Sequence, residues 1–316
     1  MEEEQKESLK GIGYGASAYF LWGLLPLYWK LVGHVPSDEV LAHRFIWSFV
    51  FTAAILLMMG KGKTFIKELK EIISRKKQFL GIILASLFIS INWFTYIWAV
   101  NNDHVIEASL GYYINPLVSV MLGIIVLKET LSRWQVISFI LAATGVLIMT
   151  LSYGDVPWAA LSLAISFGLY GLFKKMVNAG SLTGLAIETM ILTPVALFYV
   201  VMLHQAGQSS FLLDGTATVP LLIGAGVATA VPLLLFASAA RRVTLTMVGF
   251  LQYLAPTLTL ILGVFLYNEP FTSVEMAAFS FIWTALIIFS FAKTRLFRKM
   301  ENRLFPKQAF AKSKNV

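Results

Sequence analysis

The chain contains no cysteine among its 316 residues, which excludes disulfides, thiolate metal sites and thiol nucleophiles. Charge is scarce as well: Asp, Glu, Lys and Arg make up 13% of the residues, against about 25% in an ordinary soluble domain. There is no HExxH, no GxSxG and no Ser/His/Asp set in a soluble segment, so hydrolase chemistry has no foothold. Gly62-Lys63-Thr64 has the ending of a phosphate-binding loop, but Leu57 stands where the first glycine belongs and an apolar run precedes it in place of a strand. No ATPase domain has room to exist, so no enzyme activity, cofactor or metal is expected. Any process that needs energy would draw on a gradient or a partner chain. The first ten residues, MEEEQKESLK, are acidic, and the long apolar run behind them has no small-residue cleavage site, unlike a signal peptide.

What is present is apolar. Hydrophobic residues make up 58% of the chain and mean hydropathy is +0.75, more apolar surface than one soluble core can hide. The solvent must therefore be lipid. Ten apolar runs of about 20 residues match the thickness of a bilayer: 11–33, 38–59, 78–100, 105–127, 131–151, 156–176, 182–204, 217–239, 243–267 and 272–292. The short alternating segments of a closed barrel are missing, which predicts an all-α integral membrane protein.

The net charge of +8 is placed by topology and does not signal nucleic acid. Of the 25 basic residues, 23 fall in the N-tail, in loop 60–77, at Lys128 and Arg133, Lys174 and Lys175, Arg241 and Arg242, and in the C-tail. The alternate loops (34–37, 101–104, 152–155, 205–216 and 268–271) hold none. The positive-inside rule then puts both termini in the cytoplasm. Lys63–Lys77, with Phe65, Ile66, Leu69, Ile72 and Ile73, and the C-tail, with Phe297, Leu304, Phe305 and Phe310, are expected as amphipathic helices on anionic lipid.

One stretch recurs. Residues 108–133 and 249–269 share Tyr113/Tyr253, Pro116/Pro256, Gly123/Gly263 and Glu129/Glu269 at a single offset of 140 residues without a gap. Trp22-Gly23-Leu24 is matched more weakly with Tyr170-Gly171-Leu172, and Leu41-Ala42 with Leu185-Ala186. Five spans in each copy invert the second relative to the first. The expected fold is ten transmembrane helices in two inverted-topology five-helix repeats, residues 1–151 and 152–292, followed by a basic tail, 293–316. Binding in such folds lies near mid-membrane at the repeat interface.

Polar groups at that depth are candidate functional residues. Arg44 and Glu188 occupy corresponding places in spans 2 and 7, as an ion pair or as alternating partners for substrate; a static structural pair is the competing reading. His43 and Glu107 are further titratable candidates. At about 100° per residue, Ser109, Tyr112, Asn115 and Ser119 share one arc of span 4, and Gln252, Tyr253, Pro256, Thr259 and Gly263 one arc of span 9. Trp22, Trp93, Tyr96 and Tyr170 add aromatic surface from spans 1, 3 and 6, which suits an amphipathic organic molecule more than a bare ion. Trp29, Trp134 and Trp158, near span ends, read as interfacial belt residues. Pro26, Pro116, Pro194, Pro232 and Pro256 lie within spans and favour kinks. Gly11/Gly15 and Gly180/Gly184 form GxxxG spacings that permit close helix contact.

SAYFLWGLLPLYWK near residue 17, AHRFIWS at 42–48, NWFTYIWAVNN at 92–102, SLGYYINPL at 109–117 and FGLYGLFKK at 167–175 resemble the RarD-like branch of the EamA transporters, in the drug/metabolite transporter superfamily. The resemblance runs from about residue 10 to 292. It implies a ten-helix inverted-repeat fold in a bacterial cytoplasmic membrane, with a cavity lined by spans 1, 3, 4, 6, 8 and 9. Spans 2 and 7 would then lie beside it, and span 8 shows Pro232 and Ser238 but no polar stripe. The expected function is secondary transport by alternating access, exporting a small organic metabolite or drug-like molecule, with a proton or sodium as coupling ion. The alternative is a non-transporting membrane assembly or regulatory subunit. A channel is disfavoured by the lack of a charged or carbonyl-lined filter motif.

Overall fold

The computed structural model describes residues 2–102, 104–213, 217–266, 268, 271–292 and 294–304. In chain order the helices are α1 Glu2–Leu31, α2 Ser37–Met58, α3 Gly62–Ser74, α4 Lys76–Asn101, α5 Val105–Ile125, α6 Arg133–Tyr153 and α7 Trp158–Met176. They continue as α8 Ser181–Gln205, α9 Ser210–Leu213, α10 Thr218–Ala240, α11 Leu245–Gln252, α12 Leu254–Leu266, α13 Ser273–Phe291 and α14 Arg295–Leu304. No strand occurs among the described residues. Eight helical stretches are long and apolar enough to cross a membrane, from α2, α4, α5, α6, α8, α10, α11 with α12, and α13. In α1 and α7 the run of leucines is interrupted by Gly, Ser, Tyr and Trp, which lowers the hydropathy. Glu269, Phe305 and Phe310 lie outside the described residues.

Local chemistry sets the boundaries. α6 starts at a capping box, Ser132 with Gln135, and α13 starts at another, Thr272 with Glu275. Each satisfies amides that the first helical turn leaves open. Four residues before each box the backbone turns left-handed at a non-glycine residue: Lys128 at φ 57° and Asn268 at φ 54°. Such residues are uncommon, and these two stand 140 positions apart, as do the two boxes. Pro116 sits inside an unbroken α5, whereas before Pro256 the span breaks at Tyr253 into α11 and α12. Proline has no N–H to give the carbonyl four residues back, which frees the carbonyls of Tyr112 and Gln252, again 140 apart.

Contacts divide the chain into two compact units. The larger holds α1–α5 and α7–α12. Its core is Tyr19, Tyr170, Leu233, Phe236, Leu245 and Val248, with Trp22, Trp93 and Phe167 packed against it. Small residues let its backbones approach. A Cβ on Gly15 would lie 2.7 Å from Leu251 Cδ1, and one on Gly23 2.7 Å from Leu258 Cβ, so α1 lies tight on α11 and α12. A Cβ on Gly111 would lie 2.9 Å from Leu163 Cβ and 3.2 Å from the Ala160 carbonyl, and one on Gly168 2.8 Å from Val118, so α5 lies equally tight on α7. Gly11 meets Arg242 and Val243 in the same way. The Gly180/Gly184 pair does not form a helix contact of this kind: its nearest neighbours are the Glu68 carboxylate and the Lys174 ammonium.

Three carboxylates hold helix starts in this unit. Glu39, fully buried, accepts from Ser209 Oγ at 3.0 Å and from the amides of Ser210 and Phe211 at 3.0 and 3.2 Å, fixing α9 to the start of α2. Glu68 of α3 accepts from the Gly180 amide at 2.9 Å, at the start of α8. Glu107 accepts from the Ala159 amide at 2.9 Å, at the start of α7, and pairs with His104 at 2.7 Å. α3 is amphipathic, and part of its apolar face packs on the protein itself: Ile72 is buried with Ile82, Val177, Ala179 and Ile187, while Ile66 and Ile73 stay exposed.

The smaller unit holds α6, α13 and α14. A Cβ on Gly145 of α6 would lie 2.6 Å from the Ala278 carbonyl of α13, so this helix pair is closely packed as well. α14 is tied to the start of α6. Trp134 Nε1 donates to the Phe297 carbonyl at 3.0 Å, the two rings lie 5.1 Å apart, and the Arg133 amide donates to Glu301 at 3.2 Å.

Candidate substrate site

Arg44 projects from α2 between two indoles. Its guanidinium carbon lies 4.2 Å from the ring centroid of Trp93 on α4 and 4.8 Å from that of Trp29 on α1, within the range of a cation–π contact. Its Nε donates to Thr229 Oγ1 of α10 at 2.9 Å. Tyr96 and Tyr112 lie within electrostatic reach of the guanidinium, with their rings 6.2 Å apart and edge to face. The Tyr112 side chain is 49% exposed, and Arg44, Trp93 and Tyr96 are partly exposed. Four helices thus bring together a cation, two phenols and two indoles, each with some exposed surface.

Trp22 belongs to the neighbouring aromatic cluster. Its ring is 5.2 Å from Tyr19, 5.8 Å from Phe167 and 5.8 Å from Phe236. Tyr170 stacks on Phe236 at 5.7 Å and is fully buried. Its hydroxyl donates to Glu188 Oε2 at 3.3 Å, and Glu188 Oε1 accepts from Lys174 Nζ at 2.8 Å. Glu188 therefore pairs with Lys174, not with Arg44, and the expected meeting of Arg44 with Glu188 is absent. Lys174 is itself buried. Lys175 donates to the carbonyls of Ala240 and Val243, the former at the end of α10. The two lysines counted as loop charge are thus engaged inside the protein.

Asn115, Gln252 and Tyr253 are buried. Ser119 Oγ and the Gln252 side-chain amide bond each other at 3.2–3.3 Å, linking α5 to α11. Asn115 Oδ1 and the hydroxyls of Tyr19 and Tyr253 are buried without a hydrogen-bond partner. The Tyr19 hydroxyl lies beside Gln252 but outside hydrogen-bonding geometry. Unsatisfied buried polar atoms are costly, so each of these three suits a bound water or a polar ligand group. His43 accepts from Trp47 Nε1 at its Nδ1 (3.2 Å) and stacks on Phe211 at 4.8 Å.

The ten residues singled out in sequence thus fall into two groups. Arg44, Trp93, Tyr96 and Tyr112 share an accessible region, with Trp22 partly exposed in the adjoining cluster. Asn115, Tyr170, Gln252, Tyr253 and Glu188 are buried in packing. Sequence reasoning missed Thr229, Lys174, Glu39 and the part played by Trp29. A lone threonine in the Ala- and Gly-rich middle of α10 was the available signal for Thr229. Lys174 had none, since a lysine pair at a span end reads as loop.

Set against known proteins, the chain matches the sequence profile of the EamA-like transporter family twice, over residues 9–151 and 157–291. The chain belongs to the EamA-like transporter family. It is similar to the uncharacterized transporter YojE of Bacillus subtilis, 49% identical over 295 residues covering 92% of this chain and 97% of that one. It is similar also to the proteins named RarD of Streptomyces exfoliatus (43% identical, 95% and 94% covered) and of Escherichia coli (42% identical, 90% and 95% covered). This EamA protein is therefore a RarD-like membrane transporter. A solved crystal structure with 18% identity superposes at a TM-score of 0.67 over 90% of this chain and 98% of its own, a likeness of fold alone.

Proposed function

We propose that this EamA-family protein is a secondary transporter that exports a small organic molecule from a bacterial cytoplasm by alternating access. Its ten long helices form two inverted five-helix repeats, residues 1–151 and 152–292, with both termini cytoplasmic and a proton or sodium as coupling ion. The observation that carries the repeat is the recurrence of one device at one offset: a left-handed residue followed by a capping box at Lys128/Ser132 and at Asn268/Thr272. Paired helix contacts support it. Gly15 on Leu251 mirrors Ala160 on Gly111, and Gly23 on Leu258 mirrors Gly168 on Val118. The offset is 140 along α5 and its counterpart and 145 along α1 and α7. This register pairs Trp22-Gly23-Leu24 with Phe167-Gly168-Leu169, three residues from the pairing read in sequence. Helices related by such contacts can exchange packing between two equivalent arrangements, as inverted-repeat transporters do around a fixed site.

The test is metabolite profiling of cells lacking and overproducing the protein. Export predicts a compound enriched in the medium of overproducing cells and retained in deletion cells, with the difference abolished by collapsing the proton and sodium gradients. Profiles that coincide, or a flux that persists without any gradient, would overturn the reading.

A further inference from the structure

The other two buried or partly buried lysine or arginine cations among the described residues are answered by carboxylate or carbonyl oxygen: Lys174 by Glu188, and Lys175 by Ala240 and Val243. Arg44 differs. No carboxylate among the described residues lies within ion-pair distance of it, and its one hydrogen bond uses Nε, on the side of the fork. The terminal nitrogens, which match the two oxygens of a carboxylate, have no protein acceptor among the described residues. A guanidinium at this depth is costly without an anion, and the indole faces of Trp29 and Trp93 offer only partial compensation. The phenols of Tyr96 and Tyr112 lie within electrostatic reach of it, and Tyr112 is half exposed at mid-helix. A single guanidinium neutralises a single negative charge, which suits a monocarboxylate more than a phosphate dianion.

We propose that Arg44, framed by Trp29 and Trp93, anchors the carboxylate of the transported molecule, a small organic monocarboxylate with a flat or apolar body that rests on the indole and phenol rings. The inference rests on the transport reading above.

The absence of native cysteine allows a test that separates the two. The full chain carrying Tyr112→Cys, in lipid nanodiscs, is treated with sulfonatoethyl methanethiosulfonate, a small organic anion, and with its trimethylammonioethyl counterpart. Rates are normalised to those of free thiol. The anion is expected to react faster by at least about tenfold, as one uncompensated cation at short range dictates. Arg44→Gln removes the preference and Arg44→Lys keeps it. Benzoate slows the labelling and benzamide, its neutral isostere, does not. This last comparison needs no change at Arg44, and Tyr96→Cys gives an independent reporter should Tyr112→Cys fail to fold. Labelling without charge preference, a preference that survives Arg44→Gln, or equal effects of benzoate and benzamide overturn the anion site and leave the transport reading standing. Inertness of both reporters to both reagents removes the water-filled pathway and the transport reading with it.

Discussion

Removing one partner of the Lys174–Glu188 pair tests how the buried charges of the larger unit are held. The side chains are 6% and 3% exposed and their charged atoms lie 2.8 Å apart, so neither end can turn to water when its partner is lost. Glu188→Gln keeps the volume but leaves the Lys174 ammonium buried beside a neutral amide. Breaking a buried pair from one side costs about 3–5 kcal/mol, a shift of more than a hundredfold in an unfolding equilibrium. Tyr170→Phe, which deletes a single 3.3 Å hydrogen bond to the same carboxylate, should cost about 1.5 kcal/mol. The combination Lys174→Met with Glu188→Gln should be less damaging than the sum of its parts by about 2–3 kcal/mol, because contacting partners do not add. Unfolding by SDS in mixed micelles, followed by tryptophan fluorescence, reads the parent, the three single variants (Lys174→Met included) and the double variant. Additive losses, or a Glu188→Gln protein as stable as the parent, would show that the pair is solvated and would refute the reasoning.

Gly226→Ala should unfold the protein or prevent its accumulation, since a Cβ there would lie 2.3 Å from Trp47 Cβ and 2.4 Å from its carbonyl carbon; Gly13→Ala, which meets nothing within 4 Å, is the control in the same expression assay. Ser132→Ala and Thr272→Ala should each cost about 1 kcal/mol, and unequal losses would argue against equivalent roles for the two capping boxes. Glu7 accepts from Lys10 at 2.7 Å and from Arg242 at 3.0 Å, and these bonds hold its carboxyl below the ordinary value of 4.5. Its contribution is thus complete above that value and fades as pH falls through the lower folded value. Amide exchange at the start of α1 should therefore rise only in acid, and a rise near neutral pH would contradict the assignment.

Much of the fold could be read from hydrophobicity alone, because a membrane leaves the chain few options. Eight of the apolar runs are helical over lengths that can cross a membrane, and the proline and glycine that recur in sequence share their offset with the caps. The sequence was weaker on pairing. A lysine at the end of an apolar run looks the same whether it meets water or, like Lys174, a buried carboxylate. Trp29 was read as a belt residue because depth along a helix says nothing about rotation around it, and rotation puts its ring over Arg44. The break at Tyr253 was equally hidden, since Pro116 occupies the corresponding place in a continuous helix. The apolar face of α3 looked ready for lipid; Ile72 packs on the protein's own α4 and α8, while Ile66 and Ile73 stay exposed.

The carboxylates at the helix starts carry one more implication. On the proposed repeat, α3 and α9 are the connectors after corresponding helices, and a carboxylate ties α3 to the start of α8 and α9 to the start of α2. They are unequal fastenings. Glu68 reaches one amide from a partly exposed position, whereas Glu39, out of water, gathers two amides and a hydroxyl. Two extra bonds of this kind are worth about 1–3 kcal/mol, enough to tilt a two-state equilibrium by a factor of about 5 to 150. On the alternating-access reading, the duplicated body is a balance with a weight on one arm: the mouth latched by Glu39 rests shut, and the substrate must supply the difference to open it.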